Sequence, residues 1–238
     1  MKLDILAFGA HPDDVELSCS GTLAIEIENG KSVGIIDLTR GEMGTRGSAE
    51  IRDQESSQAA EILGVKIREN LGFKDALFPN DDTHKLEVIK LLRKYQPEVV
   101  LCNAISDRHI DHGRASTLVS EACFLSGLKK YETIIDDKLQ EAWRPQHVFH
   151  YIQWYDIEPD FVVDISSTID KKIASVKAYK SQFHDPDSKE PATPISSSNF
   201  MESISYRARN FGRIIGVEYA EGFTTERYIG VKSVFDLI

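Results

Sequence analysis

Two nearly continuous apolar runs separated by a helix-length segment constrain this chain most. Leu3 to Gly9 (LDILAFG) and Ser32 to Thr39 (SVGIIDLT) read as buried strands. Between them, Val15 to Glu28 carries Leu17, Ala24 and Ile27 as an apolar stripe. Asp14 is placed to cap the start of that helix and Gly30 to follow its end. Strand, helix and second buried strand make a βαβ unit, which implies a parallel sheet with a right-handed crossover.

The alternation continues. Helices are predicted over Ala49–Leu63, which Gly64 stops, over His84–Tyr95 and over Gly113–Leu128. Short strands are predicted at Lys66–Leu71 and Glu98–Asn103, with a loop from Phe73 to Asp82. Further strands are expected at His147–Tyr155 and Phe161–Ile165, and helices at Ile169–Phe183 and Phe200–Ile214. His184–Asn199, rich in Pro, Ser and Asp, reads as a long loop, a lid or an oligomer contact. Val217–Phe223 reads as a loop or short strand. The expected fold is α/β and Rossmann-like: a mostly parallel sheet flanked by helices, with a C-terminal extension, as one domain over residues 1–238.

Both charged clusters of the chain follow predicted strand ends. Ala10-His11-Pro12-Asp13-Asp14 closes the first strand, and Asp107-Arg108-His109-Ile110-Asp111-His112 follows the strand at Glu98–Asn103. In an open parallel sheet, both then face the same edge, where such folds build their sites. An Asp-Asp pair alone need only cap a helix, and His-x-x-His alone is a weak signal. Together they point to a metal. His11, Asp14 and His112 supply two imidazoles and a carboxylate, a three-ligand set with room for water. Zinc is the first expectation, with Fe2+ or Mn2+ as alternatives. Asp13 is then placed to take a proton as general base, and His109 to stabilise the oxyanion or protonate the leaving amine. Asp111 is expected to orient His109 and hold it cationic.

The totals narrow the partners. A net charge of −10 argues against general affinity for nucleic acid or anionic membrane. Three widely spaced Cys with no C-x-x-C fit a reducing compartment. Met1 runs directly into a strand without a leader-like pattern, and no apolar run approaches the ~20 residues of a membrane span. A cytoplasmic location is expected. Gly41, Gly44 and Gly47 lack the Lys-Ser/Thr of a phosphate-binding loop, so a nucleotide site is not expected. His147 and His150 lie three apart on a strand, point to opposite faces and read as packing residues.

AHPDD followed about a hundred residues later by RHIDH resembles the LmbE-like, or PIG-L, family of zinc-dependent N-acetylglucosaminyl deacetylases. The resemblance implies that His11, Asp14 and His112 match zinc ligands, Asp13 the general base, His109 the transition-state-stabilising histidine and Asp111 its orienting acid. The family's H-P-D-H is here His109-Ile110-Asp111-His112. LTRGEMGTRG, EIRDQE, YKSQF and YAEGF look like the bacillithiol-biosynthesis branch. That branch implies hydrolysis of N-acetylglucosaminyl-malate to glucosaminyl-malate and acetate. The resemblance also suggests a homo-oligomer, a hexamer among the sizes. A family tyrosine that assists the oxyanion would align with Phe200, so no tyrosine role is carried over.

Malate adds two carboxylates, and Arg40, Arg46, Arg52 and Arg108 are the cations expected near the sheet edge. Arg52 ranks first because it matches a substrate-contacting arginine of the family; Arg52, Arg108 and Arg46 are the expected substrate-binding set. Other amides remain open: another N-acetyl amino sugar or a bacillithiol S-conjugate. A non-catalytic, metal-dependent sugar-binding module is the remaining alternative.

Overall fold

The computed structural model describes residues 1–237. Strands and helices alternate through the first half: β1 (Ile5–Gly9), α1 (Asp14–Glu28), β2 (Val33–Thr39), α2 (Ala49–Leu63), β3 (Ile67–Phe73), α3 (Asp82–Tyr95), β4 (Val99–Cys102) and α4 (Ile110–Ser126). A small antiparallel hairpin, β5 (Ile134–Ile135) and β6 (Lys138–Leu139), stands apart. Then come β7 (His147–Tyr151), β8 (Phe161–Asp164), α5 (Ile169–Lys177), α6 (Ser198–Ile215) and β9 (Ala220–Thr225).

The sheet has seven strands in the order β3-β2-β1-β4-β7-β9-β8. The five strands from β3 to β7 run parallel, and β9 is antiparallel to both of its neighbours. The mostly parallel α/β architecture expected from the sequence is what forms. Every residue of β1 and β2 is buried because helices cover both faces. Alternation divides β1 between them. Leu6 and Phe8 pack with α3 and α4 through Val88, Leu92, Leu118 and Val119, while Ile5 and Ala7 pack with α1 through Val15, Cys19 and Leu23. Chain order reverses direction between β1 and β4, so the crevice beyond their carboxyl ends is the switch point of the sheet.

Several boundaries depart from the sequence reading. Asp13, not Asp14, occupies the cap position of α1, with φ 115° and no side-chain cap bond. Asp14 is already helical, and its carboxylate folds back to accept the His11 N–H at 2.9 Å. Helix α4 begins at Ile110 rather than Gly113, because His109 Nδ1 accepts the Asp111 N–H and caps it. Strand β7 ends at Tyr151, which frees Gln153 and Trp154 to turn toward the crevice. Helix α5 stops at Lys177 rather than running to Phe183, and the turns that follow bury both Tyr179 and Phe183. The segment Val217–Phe223, expected as a loop or short strand, leads into β9, an inner strand of the sheet that starts at Ala220 and runs on to Thr225. All three cysteines are free and buried.

Two buried ion pairs fasten α1 to the rest of the fold. Arg68 grips Asp37 through Nε and Nη2 at 2.8 and 2.9 Å and also bonds Glu16. Lys172 Nζ meets Glu221 at 2.7 Å and donates to the carbonyls of Glu16 and Leu17. Glu221 in turn accepts the N–H groups of Gly21 and Thr22, so one pair serves four backbone groups of α1. The YAEGF stretch thus acts in the scaffold.

Candidate active site

Three strand ends deliver the site. The turn after β1 brings His11, Asp13 and Asp14; the loop after β3 brings Asp75; the loop after β4 and the first turn of α4 bring Asp107, Arg108, His109, Asp111 and His112. His11 Nε2 lies 3.1 Å from Asp75 and 3.3 Å from Asp111, and its Nδ1 lies 3.6 Å from Asp14. His112 Nε2 is 3.1 Å from Asp14, and its Nδ1 is 2.5 Å from Asp107. Asp14 therefore stands between the two imidazoles expected to share an ion with it. The rings of His11 and His109 meet edge to face at 4.6 Å, and those of His109 and His112 lie 5.2 Å apart. One nitrogen from each of His11, His109 and His112 falls within a 4.8 Å cluster; His11, Asp75 and Asp111 form a second such group.

The donor set suits a divalent cation. Asp14, Asp75 and Asp107 meet imidazoles and no arginine or lysine. Burial alone would push His11 down, but hydrogen bonds to Asp111, Asp14 and Asp75 hold it well above its ordinary value. Burial likewise opposes charge on His112, yet Asp14 and Asp107 raise it to about 9. Burial would raise Asp14, and His112 and His11 instead hold it well below the usual carboxylate range. These carboxylates demand positive charge, here met by protons on His11 and His112 that a divalent ion would displace to gain neutral imidazole ligands.

Asp13 has a different environment. Burial raises its carboxyl to about 7, against the pull of Arg52. Arg52 donates to Asp13 Oδ2 at 2.8 Å and to the Pro12 carbonyl. Gly41 makes room for this clamp: its φ is 66°, and a Cβ there would collide with the guanidinium. The left-handed backbone of Asp13 is strained for a non-glycine residue, and such strain gathers at functional sites.

His109 and Asp111 depart from the expected pairing. It is the backbone N–H of Asp111 that meets His109 Nδ1, at 3.3 Å. The Asp111 carboxylate is held instead by Arg114 at 2.7 Å and by the Ala76 N–H at 2.7 Å. Burial, then the charges of His11 and His112, lower His109, so it sits neutral rather than cationic. With Nδ1 accepting, the neutral tautomer carries its proton on Nε2.

The arginines also differ from expectation. Arg40 pairs with Asp53 and Glu50 on α2. Arg46 is buried and donates to Ser188, away from the ligand cluster. Arg52 is spent on Asp13. Arg108 alone of the four faces the crevice without a carboxylate partner, its guanidinium 4.5 Å from the Trp154 ring. Arg207, which carries no sequence signal, reaches the Trp154 carbonyl from α6 and lies 3.7 Å from the exposed Asp156 carboxylate. His150 lies buried against Ser116 and Cys102, while His147 stacks on Phe149, so neither joins the site.

A cavity of about 660 Å³ opens beside these groups. Its far wall is apolar, built by Ile152, Trp154, Phe200, Ile204 and Phe211. Pro194 and Ile195 of the 184–199 segment form part of that wall. Phe183, Phe200 and Trp154 stack in sequence at 6.0 and 5.7 Å, which ties the segment's flanks to the stretch after β7, where Arg108 packs on Trp154.

Comparison with known proteins gives the family. The family described as PIG-L, GlcNAc-PI de-N-acetylase, matches residues 6–123. A diacetylchitobiose deacetylase of Thermococcus kodakarensis is 30% identical over 228 residues, covering 92% of this chain and 81% of that protein. The chain belongs to the PIG-L family. Among solved structures, the conserved protein TT1542 of Thermus thermophilus superposes with a TM-score of 0.86 at 38% identity, over 97% of this chain and 98% of that one. PIG-L relatives vary in named activity. A 4-oxalmesaconate hydratase of Pseudomonas putida is 29% identical over 75% of this chain and 74% of its own. A probable N-acetyl-alpha-D-glucosaminyl L-malate deacetylase 2 of Bacillus cereus is 25% identical over 76% of this chain and 84% of its own. Both clusters that carried the sequence resemblance, at residues 10–14 and 107–112, lie inside the matched segment. Among the described residues, no helix is long and apolar enough to cross a membrane.

Proposed function

We propose that this PIG-L enzyme hydrolyses the N-acetyl group of an amino-sugar conjugate, with N-acetylglucosaminyl-malate as the favoured substrate and zinc as the favoured metal. His11, Asp14 and His112 hold the cation. When bound, it polarises the amide carbonyl and supplies an acidified water. Asp13 takes the water's proton as the new C–O bond forms. Its raised pKa suits a base working near neutral pH, and Arg52 fixes its direction. His109 offers an Nε2–H donor to the developing oxyanion, and the proton held on Asp13 passes to the amine as the C–N bond breaks. Asp111 steadies His11 and the loop at Ala76.

The observation that carries this reading is the buried Asp13 carboxylate, clamped by Arg52 beside three clustered imidazoles. Arg108 and Arg207 flank Trp154 on the cavity wall and support an anionic aglycone such as malate. The likeness to the Bacillus cereus protein supports the same choice. Exposed apolar groups of the C-terminal segment, Tyr228, Val234 and Phe235 among them, support assembly with further copies.

The test is free-amine release by zinc-loaded protein from N-acetylglucosaminyl-malate, diacetylchitobiose and N-acetylglucosamine. The expected result is chelator-sensitive release, fastest from the malate conjugate. Equal rates on all three would leave the deacetylase and remove malate. No release from any, with water added to an unsaturated dicarboxylic acid instead, would place the chain with its hydratase relative.

A further inference from the structure

Asp14 is held by more than its imidazole neighbours. Asn103, at the end of β4, donates from Nδ2 to Asp14 Oδ2 at 3.0 Å. Gln153, just beyond β7, donates from Nε2 to Asp14 Oδ1 at 3.0 Å. The two amides also join each other: Asn103 Nδ2 donates to Gln153 Oε1 at 3.0 Å. Both residues are buried, Asn103 completely.

The backbone dictates which way each amide points. The Ala10 N–H donates to Asn103 Oδ1 at 2.9 Å, so the amide oxygen must face β1 and Nδ2 must face Asp14. The Ala104 N–H donates to Gln153 Oε1 at 3.1 Å, which leaves Nε2 for Asp14. A flip of either amide would set a carbonyl against a carboxylate and an NH2 against a backbone N–H. Each Asp14 oxygen thus receives a fixed amide donor: Oδ2, which also accepts the His11 N–H, is fully engaged, and Oδ1, 3.1 Å from His112 Nε2, keeps lone-pair capacity for the ion side.

We infer that Asn103 and Gln153 are positioning residues for the metal. They lock the rotamer of Asp14 and so set the geometry of the ligand that stands between His11 and His112. This rests on the metal reading above. No sequence motif marks them: Asn103 closes an apolar strand, and Gln153 lies outside both charged clusters. Partners of this kind are typically worth about 10- to 100-fold in metal affinity.

The test uses the full chain and two metals. Zinc affinity is measured by chelator competition for the parent, Gln153→Met and Asn103→Asp, and the visible spectrum of each is recorded with cobalt in place of zinc. Melting of the metal-free proteins identifies any variant that fails to fold; Gln153→Met, which disturbs only one backbone partner, then decides. The expected result is a roughly 10- to 100-fold weaker zinc Kd and shifted cobalt bands in folded variants. Parent-like Kd and parent-like cobalt bands would overturn the inference while leaving the metal site intact. A parent that binds neither metal would overturn both, and is told apart because the failure appears before any substitution.

Discussion

Helix α1 sends two carboxylates into the protein within one turn, and they enter opposite kinds of environment. Glu16 joins Arg68 and Asp37, close to the Lys172–Glu221 pair; each carboxylate there touches a cation directly. Asp14 joins Asp13, Asp75, Asp107 and Asp111, which share only Arg52 and Arg114. In the second cluster, three of the five carboxylates have imidazoles but no arginine or lysine as charged partners. Both clusters are largely buried, so both must offset their charge. The first gives every carboxylate a direct arginine or lysine partner and fastens helices. The second leaves Asp14, Asp75 and Asp107 with imidazoles as their only cationic partners, the setting in which we propose that an ion sits. Buried charge by itself does not mark a site; buried charge left unmatched by the chain does.

The comparison can be broken most sharply at Asp13. Asp13→Asn is expected to lower kcat/KM by about 10²- to 10⁴-fold, the usual contribution of a general base, while zinc content stays at the parent level. Steady-state kinetics beside metal analysis checks both halves. On the matched side, Arg68→Met leaves Glu16 and Asp37 buried without their cation. It is expected to cost about 3–5 kcal/mol in denaturant unfolding, with activity per folded molecule unchanged.

A third expectation concerns pH. His112 is raised to about 9 in the metal-free protein, so its proton stabilises the fold fully below the unfolded value of about 6.5. That contribution is lost as pH rises through about 9. Zinc must displace this proton, so its Kd should fall about tenfold per pH unit for each proton released and level off above that point. Calorimetry in buffers of different ionisation heat reads the proton release directly. The smallest effect is expected at Arg40, already paired on the surface with Asp53 and Glu50. Arg40→Gln should leave KM within about twofold for anionic and neutral substrates alike.

Much of this was legible in the chain. The buried runs at residues 3–9 and 32–39 announce a parallel sheet, and helix α2 occupies the predicted Ala49–Leu63. Placing both charged clusters at strand ends is enough to bring His11, Asp14 and His112 to one crevice. Asp75 obeys the same rule, two residues past β3, but a lone Asp in a loop carries no signal by itself. What was lost was direction. Arg46 and Arg52 follow β2 on the site's edge of the sheet, yet one turns to Ser188 and the other to Asp13, because each answers a partner far along the chain. Asp111 was read toward His109, its near neighbour; Arg114 one turn on and the Ala76 N–H hold it elsewhere.

The central claim is that the cluster around Asp14 is completed by one divalent ion. Equilibrium dialysis with zinc, on the parent and on a His11→Gln/His112→Gln double variant, tests it most directly. One zinc per parent chain is predicted, with a melting temperature that climbs with zinc concentration, and none bound to the double variant. A parent that binds no zinc, or a double variant that binds it as tightly, would contradict the account.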